Sequence, residues 1–295
     1  MVINRRRAPS SAISSEKKLS GHIREADYAL LIGGTSISGV QKGDVKDTFG
    51  NLHSVKSGKK WQVFLYGYQR ISASTNLKIL KNCLDAFTIN AKKYFEDRTK
   101  CIAYKEAYIE KYGREKAKSL KNIDVETALG KNEYIESKNQ LAKYTFDVRD
   151  KLKNKDALRA FLNEAIFNND EVTFLAIKDT TYLNDNLFKV FAKEDVLNIL
   201  CNQLFPEVSK SGNVPEDFNV AAQKTLLCYL KNSKVKNIVE IEIRNDSETH
   251  YRQVRFNMYS KDVLSLLMDS KNKLNVKKIN DGVLVYGKAV ELLCL

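Results

Sequence analysis

The stretch GDVKDTFGNLHSVKSGKKWQVFLY, residues Gly43 to Tyr66, decides how this chain is read. Asp47-Thr48-Phe49-Gly50-Asn51 has the form of a three-residue hairpin loop, with Gly50 where the backbone must turn left-handed. If Asp47 stands opposite Asn51, the ladder sets Lys46 against Leu52, Val45 against His53 and Asp44 against Ser54. Side chains alternate faces along a strand, so Asp44, Ser54 and Lys56 are expected to project from one face. A two-residue loop at Phe49-Gly50 would instead pair Asp44 with Val55, so the reading turns on the register.

Around this hairpin the chain is strongly basic. Its 295 residues carry 49 Lys and Arg against 36 Asp and Glu, a net +13, which favours a polyanionic partner. The length suits one large or two modest domains, and 43% hydrophobic residues are ordinary for a globular protein. Five cysteines, Cys83, Cys101, Cys201, Cys228 and Cys294, show no CxxC spacing. They read as reduced, mostly buried thiols of a cytoplasmic protein. The start MVINRRRAPSSAISSEKK has no apolar run after its arginines and is not a secretory signal. No apolar run is long enough to span a bilayer, and without a GxxxxGK[ST] motif no nucleotide cofactor is expected.

Residues 1–15 are expected to form a basic flexible arm, with Arg5, Arg6 and Arg7 available to phosphates. Leu19, Ile23, Ala26 and Leu30 recur at helical spacing and Gly33-Gly34 supplies a stop, which predicts a helix over 16–32 with that stripe inward. Trp61 to Tyr66 fits a strand or the start of a helix. Residues 16–75 form the first part of a catalytic core, and the Lys/Glu-rich, proline-free stretch 76–170 reads as a helical insertion. Val172 to Ile177 resembles a buried strand and Glu194 to Leu204 an amphipathic helix. Residues 206–218, with two of the three prolines, read as a loop or seam. Residues 171–295 hold the remainder of the core.

A second hairpin is legible at 237–258. Val239, Ile241 and Ile243 alternate with Glu240, Glu242 and Arg244, and after a turn Val254, Phe256 and Met258 alternate with Gln253, Arg255 and Asn257. Arg244, Gln253, Arg255 and Asn257 make a plausible base-reading face, since Arg bonds guanine and Gln or Asn bonds adenine bidentately. A solvent-facing polar strand explains the same pattern. Lys59 and Lys60 add positive charge beside the first hairpin.

Phosphodiester hydrolysis needs an activated water and a counter-charge for the phosphate, and Mg2+ held by carboxylates meets both needs. Asp44 suits a ligand, and Lys56 can orient or deprotonate the water and offset charge. His53, opposite Val45, reads as a structural or phosphate-contacting residue on the other face. With only three histidines and no paired cysteines, a histidine-based nuclease centre is disfavoured.

An acidic residue, a hairpin and a residue-x-Lys triplet resemble the PD-(D/E)xK nuclease superfamily, and the local wording is similar to type II restriction endonucleases. The resemblance covers roughly residues 20 to 70, and more loosely 170 to 265. It implies a mixed α/β core, a central sheet flanked by helices, in which Asp44, Ser54, the main-chain carbonyl of Val55 and Lys56 build a Mg2+ site. Ser54 departs from the family, which places an acid there, so one charge is missing. Glu25, on the helix before the sheet, is the expected replacement, with Asp27 a weaker one; Asp47 has the wrong strand parity. Gln62, within Gln62-Val-Phe-Leu-Tyr66, resembles a glutamine motif that supports the site. The implied activity is site-specific cleavage of double-stranded DNA by a homodimer. The alternatives are a structure-selective repair nuclease and a catalytically inactive DNA-binding protein in which Ser54 marks a decayed site.

Overall fold

The structure, a computed structural model, describes residues 11–37, 43–82, 84–85, 96, 110–111, 113, 145–178, 185–209, 224–243 and 253–293. Within α1 (Ser11–Leu31), side chains are described from Leu19 onward. The expected arm at residues 1–10, most of the insertion between 86 and 144, the turn 244–252 with Arg244, and residues 210–223 lie outside the described residues.

The first hairpin forms in the three-residue register. Val45 faces His53 and Lys46 faces Leu52, joining β2 (Val45–Lys46) to β3 (Leu52–Ser57). The loop is closed by Asp47 N donating to Asn51 O at 3.0 Å, and Gly50 takes φ +91°. Asp47 braces the loop from inside: Oδ1 accepts from the backbone N–H groups of Phe49 and Asn51, at 2.9 and 2.8 Å.

This hairpin sits in a seven-stranded mixed sheet. With β1 (Thr35–Ser36), β5 (Phe174–Lys178), β6 (Phe188–Ala192), β11 (Val276–Asn280) and β12 (Val283–Tyr286), the order is β1-β2-β3-β5-β6-β12-β11. The pairs β3–β5 and β6–β12 are parallel and the rest antiparallel. One face buries Val45, Val55, Phe174, Ala176, Val190 and Val285 under Tyr28 and Ala29 of α1 and Ala289 of the last helix, Lys288–Leu292. By register, the other face carries Ser54, Lys56, Leu175, Ile177, Lys189, Phe191 and Tyr286.

α1 has the predicted period but turns a different side inward. Leu19, Ile23 and Leu30 are 62, 53 and 84% exposed, whereas Tyr28 and Ala29 are buried. An aromatic ring buries more apolar surface than the aliphatic stripe would, and its hydroxyl finds a partner in His53. The helix stops at a close crossing. A Cβ on Gly34 would lie 2.5 Å from the carbonyl oxygen of Lys46, a backbone atom that cannot swing aside. Gly34→Ala is therefore expected to cost about 1–3 kcal/mol, read as a lower urea midpoint at unchanged slope.

A five-stranded second sheet has the order β4-β10-β9-β8-β7, built from β4 (Lys60–Gly67), β7 (Phe205–Val208), β8 (Thr225–Lys231), β9 (Lys234–Ile243) and β10 (Gln253–Tyr259). Trp61 to Tyr66 is thus strand. Pro206, read as loop, lies in β7, which is an edge strand where a missing N–H is tolerated. Phe64 and Phe161 both pack on Phe256. Burial pushes the thiol of Cys228 on β8 up to about 11, with Glu207 adding to it.

The chain divides into two compact units: 1–61, 162–200 and 259–295 with the mixed sheet, and 62–161 and 201–258 with the second sheet. This differs from a continuous first core segment at 16–75, because the chain leaves the first unit after Trp61. The second hairpin belongs to the other unit. Among the described residues, no helix is long and apolar enough to cross a membrane.

Candidate functional site

Four groups of the SVK hairpin converge on one carboxylate oxygen. Oδ2 of Asp44 accepts from the backbone N–H of Val55 at 2.6 Å, the Lys56 ammonium at 3.0 Å and the Ser54 hydroxyl at 3.3 Å. The same ammonium donates to the Val55 carbonyl at 3.1 Å. Lys56 and Asp44 keep 17 and 20% of their side-chain surface exposed, while Ser54 is fully buried. The register makes this possible: residues 54 and 56 share a face, and Asp44 reaches it from one residue before β2.

A cation already occupies the focus of these oxygens. The ammonium of Lys56 lies between the Asp44 carboxylate and the Val55 carbonyl, the two strongest oxygen donors of the cluster. Magnesium takes oxygen ligands, keeps several waters and is commonly held by one or two carboxylates. Asp44, the Val55 carbonyl and the Ser54 hydroxyl fit such an ion as a site with a single charge. Among the described residues, no group of three or more His, Cys, Asp and Glu comes together.

The other expected residues lie elsewhere. Glu25 bonds His22 Nδ1 at 3.1 Å, one turn back on the same helix, and makes no bond to Asp44, Ser54 or Lys56. The reason is topological, because α1 packs on the Val55 face whereas Asp44 projects to the opposite one. Asp27 is exposed. Gln62 is exposed on β4, within the other compact unit. Lys59 and Lys60 are exposed at the start of β4, with the Lys60 ammonium 4.9 Å from the Tyr259 ring centre.

The second hairpin pairs as read, Arg255 with Glu242 and Asn257 with Glu240. Its polar face is nevertheless occupied internally. Arg255 pairs with Glu242, Lys224 bonds Glu240 at 3.1 Å and Glu242 at 3.2 Å, and Asn257 is buried. Gln253 is half-buried. The acids opposite Arg255 and Asn257 were visible in the sequence, and they are what turns a basic reading row into a charge-balanced layer.

Behind the candidate site lies a buried chain of three polar groups. His53 Nε2 stands 3.2 Å from Asp47 Oδ2, and its Nδ1 stands 2.9 Å from the Tyr28 hydroxyl. A carboxylate only accepts, so Nε2 carries the proton and Nδ1 accepts from Tyr28. His53 is fully buried, which makes it structural and removes the phosphate-contacting role. Burial pushes its pKa below the ordinary histidine value, against the raising effects of the Asp47 hydrogen bond and charge. At the edge of the same face, Arg24 donates to the Ser57 hydroxyl at 2.8 Å.

Sequence reading missed Lys189. It is buried on the Ser54–Lys56 face, in one cross-sheet row with Ile177 and Lys56, and holds both oxygens of Asp185 at 2.8 and 2.6 Å. Nothing within the apolar strand FKVFA signals that its lysine points inward. No family model, curated protein or solved structure matches the chain.

Proposed function

We propose that this protein is a magnesium-dependent endonuclease acting on double-stranded DNA, of the site-specific restriction type. The observation that carries the reading is the meeting of Asp44, Ser54, Val55 and Lys56 at one oxygen. The net charge of +13 supports a polyanionic substrate.

In this mechanism Asp44 and the Val55 carbonyl hold the ion beside the scissile phosphate, and Ser54 orients its water shell. Magnesium bound there neutralises charge growing on the phosphate and makes water nucleophilic near neutral pH. Lys56 gives up its two oxygen partners and turns its ammonium toward the attacking water and a non-bridging phosphate oxygen. Cutting both strands of a palindromic site calls for two such centres, so a homodimer is the expected form.

A second reading, a structure-selective nuclease with the same centre, is favoured by the internal pairing of Arg255 and the burial of Asn257. Incubation with supercoiled plasmid and Mg2+ separates the two. Discrete fragments with defined ends support restriction. Cutting confined to branched substrates supports the second reading. If neither substrate is cut at any magnesium concentration while DNA is bound, the nuclease reading fails.

A further inference from the structure

One carboxylate of the described residues is buried and incompletely satisfied. Glu164 lies on the helix Lys155–Phe167, here α3, is 7% exposed, and its Oε2 has no hydrogen-bond partner. A buried carboxylate oxygen without a partner is costly and calls for a proton, a water or a cation.

Its place follows from the topology. α3 leads through a turn into β5, with Val172 N donating to Phe167 O at 3.0 Å, and β5 is the parallel neighbour of β3. The buried residues Leu162, Ala165 and Ile166 are not among the cluster under α1, so α3 covers the opposite face, that of Ser54 and Lys56. At 1.5 Å per helical residue, Glu164 lies about 4.5 Å before the end of the helix at Phe167. Leu175 lies about 3.3 Å beyond the start of β5. Since Leu175 is the register partner of Ser54, Glu164 comes level with Ser54.

Handedness fixes the side. Parallel neighbours are joined by right-handed connections. With Leu158, Leu162 and Ala165 facing the sheet, a right-handed helix running back from β3 to β5 puts Glu164 on the flank toward β3 and β2, not toward β6. That is the side from which Asp44 projects.

We infer that Glu164 is the second carboxylate of the cation site, supplying from α3 the charge that Ser54 does not supply from β3. The inference rests on the magnesium-nuclease reading and replaces Glu25 as the source of that charge. It also accounts for the orphan oxygen, which takes the cation as its partner.

The test is Mn2+ and Mg2+ binding to the full chain, by titration calorimetry and by metal-induced rise in Tm, without DNA. Glu164→Gln is expected to weaken Mn2+ binding by at least about tenfold and to abolish most of the metal-induced rise. The metal-free Tm should be unchanged or higher, because an amide is cheaper to bury than an unpaired carboxylate. Glu164→Asp should recover part of the affinity, which separates loss of charge from loss of packing. Glu194→Gln, on an exposed side chain, should bind metal as the native chain does. If Asp44→Asn abolishes metal binding while both Glu164 variants bind at native affinity, the inference is overturned and the nuclease reading stands. If the native chain binds neither metal and cuts no DNA, both fall together.

Discussion

Alanine at position 56 is expected to lower magnesium-dependent cleavage by about 10²- to 10³-fold while DNA binding and the folded state persist. The ammonium of Lys56 is the one cationic group bonded to both Asp44 and the Val55 carbonyl, and no other described side chain is in place to offset charge on the phosphate there. Folding is expected to change little. The pair is partly exposed, and Asp44 retains the N–H of Val55 at 2.6 Å and the Ser54 hydroxyl. Metal binding is expected to hold or tighten, because the ammonium competes for the oxygens that would hold the ion. Cleavage rates on plasmid and a Mn2+ titration of Lys56→Ala read the two effects separately. Cleavage at the native rate would remove Lys56 from the chemistry.

The largest effect on stability is expected at Asp47. Its carboxylate accepts from Phe49 N, Asn51 N, Asn51 Nδ2 and His53 Nε2, at 2.9, 2.8, 2.9 and 3.2 Å. Asp47→Ala strands the buried imidazole and opens the loop that sets the register, a loss of about 2–4 kcal/mol, measured as a lower urea midpoint. A midpoint within error of native would mean that Gly50 and the ladder alone hold the hairpin.

The same network predicts how stability follows pH. Burial depresses the folded pKa of His53, so the imidazole is kept neutral, and the unfolded chain binds the extra proton first. Its contribution is complete above about 6.5, the ordinary histidine value, and is lost as pH falls below it toward the depressed folded value. For Asp47, burial raises the pKa but is outweighed by hydrogen bonds from the Asn51 side chain and backbone and from His53, so its carboxyl lies below the ordinary range. That contribution is lost at still lower pH. Tyr28 is shifted upward by burial and then by Asp47, so its contribution is lost as pH rises past the ordinary phenol value. A plot of Tm against pH should therefore fall in two acid steps and one alkaline step. Asp47→Asn should blunt the acid steps, and a single step centred on ordinary carboxylate titration would count against the network.

The hairpin was legible because three local rules agreed: a glycine able to take positive φ, an aspartate able to brace its own loop, and strand parity. Those rules give Asp44, Ser54 and Lys56 one face without any tertiary information. The orientation of α1 was not legible, since the stripe Leu19–Ile23–Ala26–Leu30 and the alternative through Tyr28 and Ala29 have the same period. Only the partner across the sheet, His53, selects between them. The site's second acid eluded the same local reading. Glu25 is adjacent in sequence to the core sheet but on the wrong face of it, whereas the relation of Glu164 to Ser54 exists only through the pairing of β3 with β5. The paired acids of the second hairpin show the converse, a polar alternation whose charges cancel across the ladder.

That pairing of β3 with β5 also bears on how the molecule comes into being. The strand carrying Ser54 and Lys56 is hydrogen-bonded on one side to a local hairpin partner and on the other to Phe174–Lys178, far later in the chain. A ribosome delivers the hairpin long before it delivers the strand that completes its sheet. During that interval an apolar-backed edge waits open for any passing strand. Closing so long a loop is slow, so refolding should be limited by β3 finding β5. A nascent chain halted before Phe174 would hold the hairpin's residues with no assembled centre, which confines hydrolytic competence to chains synthesised past that strand.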